Sequence, residues 1–241
     1  MIPICLIKTL FSGEAMLRET LLMLALIWIS TPDWKAQAQM QEQDRVLQTV
    51  LRMKATLDGI TDYTCEVDQA YYSDEKEAHR YRFKFFFKLG KKIRIEFLDP
   101  YSGLIIYYHG GKGDATVVPF PVLSFLKIRL SLDNPMIRTP TGQRVDQTDM
   151  DYFIQFLLKN LSGPGHGEGE YHEDQDSVHF SLTAMDYLQG QEMERYRISV
   201  SKSYWLPTRI ERYTLQGRLV ERSIIGNYLL NQGLGEELFG P

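Results

Sequence analysis

Alternation dominates the chain between residues 81 and 119. Tyr81, Phe83, Phe85 and Phe87 take every second position, and Arg82, Lys84 and Lys88 belong to the other set. A period of two is the mark of a strand, here with an aromatic face and a basic face. Leu89, Gly90, Lys91 and Lys92 turn the chain, and Ile93, Ile95 and Phe97 resume the pattern. Residues 99–103 make a second turn, residues 104–108 a further strand, and residues 109–114 a glycine-rich third turn. The pattern predicts an antiparallel meander with one strongly apolar face. If its first two strands pair as a hairpin, Phe83, Phe85, Phe87, Ile93, Ile95 and Phe97 share that face.

The flanking regions supply helices and more strands. Val46, Val50, Met53 and Leu57 fall three or four apart, with Leu47 and Leu51 widening the stripe, which predicts a helix over 41–58 ended by Gly59. Tyr63, Cys65, Val67 and Gln69 share one side of a strand over 62–72. Pro119 and Pro121 interrupt the apolar run 117–130, which reads as a strand end followed by a short helix from about Val122. A loop follows over 133–142. A second helix is expected over 149–160, capped by Thr148, with Met150, Phe153, Ile154, Leu157 and Leu161 as its stripe. Residues 162–176 read as a flexible acidic loop. Four strands close the chain, over 177–184, 193–200, 208–215 and 218–230. Strands grouped on either side of helices predict an α+β fold with an antiparallel sheet. Eight or more twisted strands curl, so the expected architecture is a curved antiparallel sheet with helices packed over its concave apolar face.

Composition narrows the class. The chain has 241 residues, a formal charge of -4 and 44% hydrophobic residues, enough for one core and one domain over 39–241. The acidic balance argues against a nucleic-acid partner. Residues 21–29 are apolar, Arg18 precedes them and Ala36-Gln37-Ala38 follows. That pattern predicts an export signal over 1–38, cleaved after Ala38, with an over-long start before Met16. The run falls short of the ~20 residues of a comfortable membrane span; an uncleaved anchor is the alternative. The segment carries three charges of each sign, so its removal leaves the charge at -4. Of the two cysteines, Cys65 alone remains in the mature chain, where it forms no internal disulfide and reads as a buried strand residue.

Reactive signatures are missing. The sequence contains no G-x-S-x-G, no H-E-x-x-H and no phosphate-loop lysine motif. The glycines at 110, 111 and 113 lie between strands and open no helix, so they read as a hairpin turn. His166, Glu168, Glu170, His172, Glu173 and Asp174 are separated by glycines that leave no rigid metal geometry. His79 and His179 have no assignable partner. No catalytic residue, metal site or cofactor is therefore expected. The strongest functional feature is apolar surface, which is either an ordinary core or the wall of a cavity.

The run 86–100, Phe-Phe-Lys-Leu-Gly-Lys-Lys-Ile-Arg-Ile-Glu-Phe-Leu-Asp-Pro, resembles the strand, turn and aromatic-Arg-aromatic strand of the outer-membrane lipoprotein carrier family, the LolA-like superfamily. The turn at His109, Gly110 and Gly111, the stretches 205–208, 216–219 and 228–231, and Phe239 are similar to later parts of that family. The resemblance implies an unclosed half β-barrel whose helices form a lid over an apolar cavity. It implies a periplasmic carrier that shelters the acyl chains of lipoproteins or other lipid cargo, meets inner- and outer-membrane partners transiently, and catalyses nothing. The family's arginine before the turn proline is absent; Lys88, Leu89 and Gly90 stand there. The expected cavity wall is Phe83, Phe85, Phe87, Ile93, Ile95 and Phe97 from the meander, with Phe153, Ile154 and Leu157 from the second helix. Two rivals stay open: a periplasmic sensor of the same fold that binds lipoproteins and a membrane partner, and a hydrolase using Cys65, His109 or His179.

Overall fold

The computed structural model describes residues 34–120, 125–162, 169–185 and 192–240, with helix side chains from residue 39 onward. The apolar run 21–29 lies outside the described residues, and residues 36–38 fall within the first helix. The chain divides into two compact units, Met1–Gln41 and Glu42–Pro241, and the second holds the whole sheet.

Among the described residues, eleven strands form one antiparallel sheet. They are β1 (Asp62–Ser73), β2 (Lys76–Lys88), β3 (Lys92–Asp99), β4 (Ile105–His109), β5 (Asp114–Val118), β6 (Ile128–Ser131), β7 (Tyr171–Glu173), β8 (Ser177–Met185), β9 (Met193–Ser201), β10 (Pro207–Thr214) and β11 (Leu219–Leu230). Their order is β6-β5-β4-β3-β2-β1-β11-β10-β9-β8-β7, so the sheet is open, with β6 and β7 at its edges. Two meanders meet where the first strand pairs with the last. The predicted hairpin has its expected register: Phe83 faces Phe97, Phe85 faces Ile95 and Phe87 faces Ile93. Its turn needs left-handed backbone at Gly90 and Lys91, with φ of 85° and 57°. Gly110 is fixed by proximity, since a Cβ there would lie 2.4 Å from the Gly90 carbonyl oxygen.

Helix α1 (Trp34–Asp58) is longer than its apolar stripe predicts. Val46, Val50, Met53 and Leu57 are buried in the core, whereas Leu51 is exposed, so the stripe is narrower than the sequence expectation. Arg52 stacks on the Trp205 ring at 4.3 Å, and Arg45 lies over Tyr171 at 5.5 Å. Helix α2 (Met150–Leu161) is capped by Asp149, not Thr148. The Asp149 carboxylate accepts from the Tyr152 N–H at 3.0 Å, and the Thr148 hydroxyl instead donates to the Val145 carbonyl.

Two more expectations change. Residues 128–131 form the edge strand β6 where a short helix was expected; residues 121–124 of that expected helix lie outside the described residues. Part of the expected acidic loop is strand β7, which pairs with β8 through His172 opposite His179. The side of the sheet away from the helices is also occupied. Residues 236–239 fold back across β3 and β4: the Leu238 carbonyl accepts from Arg94 at 3.2 Å, and His109 Nε2 lies 2.7 Å from the Phe239 carbonyl oxygen. Glu236 pairs with Lys88 and Lys92 on the basic face of the meander. Phe239 is fully buried beneath this return. Phe239→Ala should therefore lower unfolding free energy by about 3–5 kcal/mol in urea titration; a loss under about 1 kcal/mol would mean that the return segment is not part of the fold.

Candidate ligand cavity

Inward-facing side chains line up in cross-strand rows. Ile106, Ile95, Phe85 and Cys65 form one row across β4, β3, β2 and β1. Phe97, Phe83, Val67 and Ile225 form the next, continuing onto β11. Then come Tyr81, Gln69, Ser223 and Ile210, and finally Tyr71, Glu221, Arg212 and Tyr196. Cys65 and Tyr71 are six residues apart on one strand, so the rows span about 20 Å. Chemistry changes steadily along that axis, from wholly apolar to polar and charged.

Over these rows lies a cavity of about 590 Å³. That is within the ~300–1,000 Å³ typical of small-molecule sites. Its roof is α2, through Met150, Phe153 and Phe156, together with the loop between β6 and α2. The loop is tied mainly to itself. Thr139 and Gln143 exchange two hydrogen bonds at 3.0 and 2.9 Å, and Arg144 grips Asp146 at 2.9 and 2.6 Å. Buried Leu132, Ile137 and Val145 anchor it to the core. Tyr101 and Met136 line the cavity yet are 62% and 82% exposed, which places the opening between the β3–β4 turn and this loop. The N-terminus of α2 is held more firmly. Its Met150 N–H donates to the buried Tyr63 hydroxyl at 3.2 Å, and Lys91 in the β2–β3 turn pairs with Asp149 at 3.4 Å.

Of the nine residues expected in the wall, Phe83, Phe85, Ile95, Phe97 and Phe153 line the cavity. Phe87, Ile93, Ile154 and Leu157 lie in the packed core beside it. The physical reason is the docking of α2: Phe87 stacks on Tyr63 at 5.0 Å, beside the point where the helix begins, and that end of the sheet is filled. Sequence reasoning missed Tyr71, Arg212 and Glu221. The period-two pattern of β1 runs past Gln69 to Tyr71 and contains the signal for the first. The other two depend on the β1–β11 and β10–β11 registers.

Possible reactive groups are placed clearly. Cys65 is buried in the wall, and burial, with the Glu66 charge adding to it, pushes its thiol up to about 12. His179 has two partners: Nδ1 lies 2.9 Å from Ser199 Oγ and Nε2 2.9 Å from Asp174. The His179 bond and the Asp176 and Ser177 N–H groups hold the Asp174 carboxyl down to about 2. This chain lies on the sheet face opposite Val178 and Phe180, with His179 and Asp174 side chains 39% and 50% exposed, so water is not excluded from it. Among the described residues, no three metal-ligating side chains cluster as a candidate metal site, and no helix is long and apolar enough to cross a membrane.

No protein-family model matches the chain, and no curated protein matches it. Solved structures do. A LolA-superfamily protein from Nitrosomonas europaea shares 16% identity over 80% of this chain and 97% of its own, with a TM-score of 0.34. The chain is similar to structures of the LolA superfamily. A lipoprotein-sorting protein domain from Vibrio parahaemolyticus matches at 13% identity, covering 82% of this chain and 97% of that one, TM-score 0.41. The MucA/MucB complex of Pseudomonas aeruginosa matches at 10% identity over 79% and 61%, TM-score 0.43. These TM-scores lie below 0.5, so the functional reading rests on the cavity and not on the LolA-like likeness.

Buried acids that ionise only on unfolding set an alkaline limit. Burial raises the Cys65 thiol and holds the Tyr63, Tyr71 and Tyr228 phenols well above their usual range. The folded state keeps these protons after the unfolded chain has lost them. Stability is therefore full below about pH 9, near the ordinary thiol value, and falls continuously above it. Thermal melts from pH 7 to 11 should show this decline, and Cys65 in native protein at pH 8 should resist iodoacetamide by mass spectrometry. Rapid alkylation without unfolding would contradict the burial.

Proposed function

We propose that the protein is an exported, periplasmic, non-enzymatic lipid carrier. It shelters acyl chains of a lipoprotein or another lipid cargo and delivers them toward the outer membrane. The single observation that supports this is the cavity: a trough some 20 Å long by strand spacing, apolar at one end and polar at the other, roofed by a loop bonded mainly to itself. Each buried methylene contributes about 0.8 kcal/mol, so about ten give roughly 8 kcal/mol before ordering costs are subtracted. Binding of that order is strong enough to load and weak enough to release. A roof with its own internal hydrogen bonds can shift as a unit without leaving polar groups unpaired. The neutral Cys65 thiol and the solvated Ser199–His179–Asp174 chain give no reason to assign a reaction.

Native mass spectrometry of protein purified without detergent should reveal co-purifying acyl lipid. Val67→Trp, in the middle of the trough, should lower affinity for a fluorescent fatty-acid probe at least tenfold and leave the fold intact. An unchanged affinity would remove the cavity as the binding site. Probe transfer between donor and acceptor vesicles distinguishes a carrier from a sensor of the same fold, which would hold a protein partner and move no lipid.

A further inference from the structure

The trough is closed at its apolar end and open toward its polar one. Cys65, Phe85, Ile106 and Met150 line the apolar end, and all four are buried. Packed core stands behind them, where Phe87 stacks on Tyr63 and the Tyr63 hydroxyl holds the first turn of α2. The mouth lies the other way: the exposed Tyr101 ring stacks on Tyr81, in the third row, at 6.4 Å. A lipid therefore enters at the polar rows and meets a wall at the last apolar one. Length and volume both limit what fits between. An extended hydrocarbon advances about 1.25 Å per carbon, from bonds of about 1.5 Å at tetrahedral angles, so a trough of about 20 Å takes about sixteen carbons in line. A methylene occupies about the 30 Å³ of a liquid water molecule, so the cavity of about 590 Å³ holds about twenty. Two chains of trough length exceed that volume, and one chain with the first atoms of its head matches it.

Within the carrier reading above, on which this rests, we propose that the trough holds one extended acyl chain of about sixteen carbons with its methyl end at Cys65. The cargo class is then a single-chain lipid, such as a fatty acid or a lysophospholipid. Up to the length of the trough, each added methylene leaves water for the apolar rows and tightens binding about fourfold. Beyond it, added carbons remain at the mouth in water, and the gain stops. A lipid with two chains buries one and leaves the other wet. Cys65 and Ile106 stand at the two ends of the last row, so their volumes fix where the chain stops. Cys65 is the smaller of the two and leaves the room into which the methyl end fits.

Saturated fatty acids from decanoate to arachidate, displacing the apolar dye N-phenyl-1-naphthylamine from the full chain at pH 8, test this. Affinity should rise at least tenfold from laurate to palmitate and less than twofold from palmitate to arachidate. Native mass spectrometry at saturating palmitate should show one bound chain. Cys65→Leu moves the wall inward; it should weaken palmitate at least threefold and laurate less than twofold. Ile106→Ala moves the wall outward; it should make stearate bind at least threefold tighter than palmitate. Thermal melts check that each variant is folded, and where one is not, the wild-type series decides. A plateau already reached at laurate, a climb from palmitate to arachidate as steep as that from laurate to palmitate, or two palmitates bound overturns the assignment. So does a palmitate affinity unmoved in folded Cys65→Leu. If the dye binds and no fatty acid displaces it, the single-chain assignment alone falls; if neither binds, the carrier reading falls with it.

Discussion

Among the described residues, an open sheet of eleven strands has more inward apolar face than the two helices cover. That mismatch of areas governs the structure. Helix α1 buries its narrow stripe, and α2 docks on Tyr63 at the end where Phe87 and Ile93 complete the core. What the helices leave uncovered is spanned by a loop. A loop cannot fill volume as a helix does, because its backbone groups must find partners locally. This loop meets that requirement through Thr139, Gln143, Arg144 and Asp146, and so it roofs a space without plugging it.

The two attachments of the roof differ in kind. At α2, a buried phenol, a buried cap carboxylate and a lysine converge on the first helical turn, which makes that end a fixed point. Lys91 takes part from the β2–β3 turn, three residues after Lys88. The other end, around Met136 and Tyr101, presents exposed apolar side chains at the opening. A roof fixed at one side and greasy at the other suits the lipid cargo proposed above.

Much of this was legible in the sequence, for a local reason. The β2–β3 hairpin is written in adjacent residues: strict alternation, Gly90 at the turn, alternation again. Its register, and hence five of the residues lining the cavity, follows from a separation of only a few positions. Strands β8 to β11 were legible in the same way. The polar end was not, because it is assembled across β1, β11 and β10. In sequence, Tyr71, Arg212 and Glu221 look like ordinary residues of half-solvated strands, and only long-range pairing brings them together. Edge strands β6 and β7 were hidden because they are four and three residues long, too short for a period to register. The cap of α2 was misassigned by one position: Thr148 and Asp149 are both good capping residues, and the choice between them depends on the 3-10 turn that ends at Gln147.

The seam between β1 and β11 has a consequence for biosynthesis. Gln69 and Glu221, hydrogen-bonded across it, are 152 positions apart in sequence. Contacts that remote form late and slowly. A nascent chain still missing its last strand owns the aromatic hairpin but not Glu221 or a closed trough, and its greasiest surface stands bare. Until the final strand docks, that surface is open to contact with its neighbours.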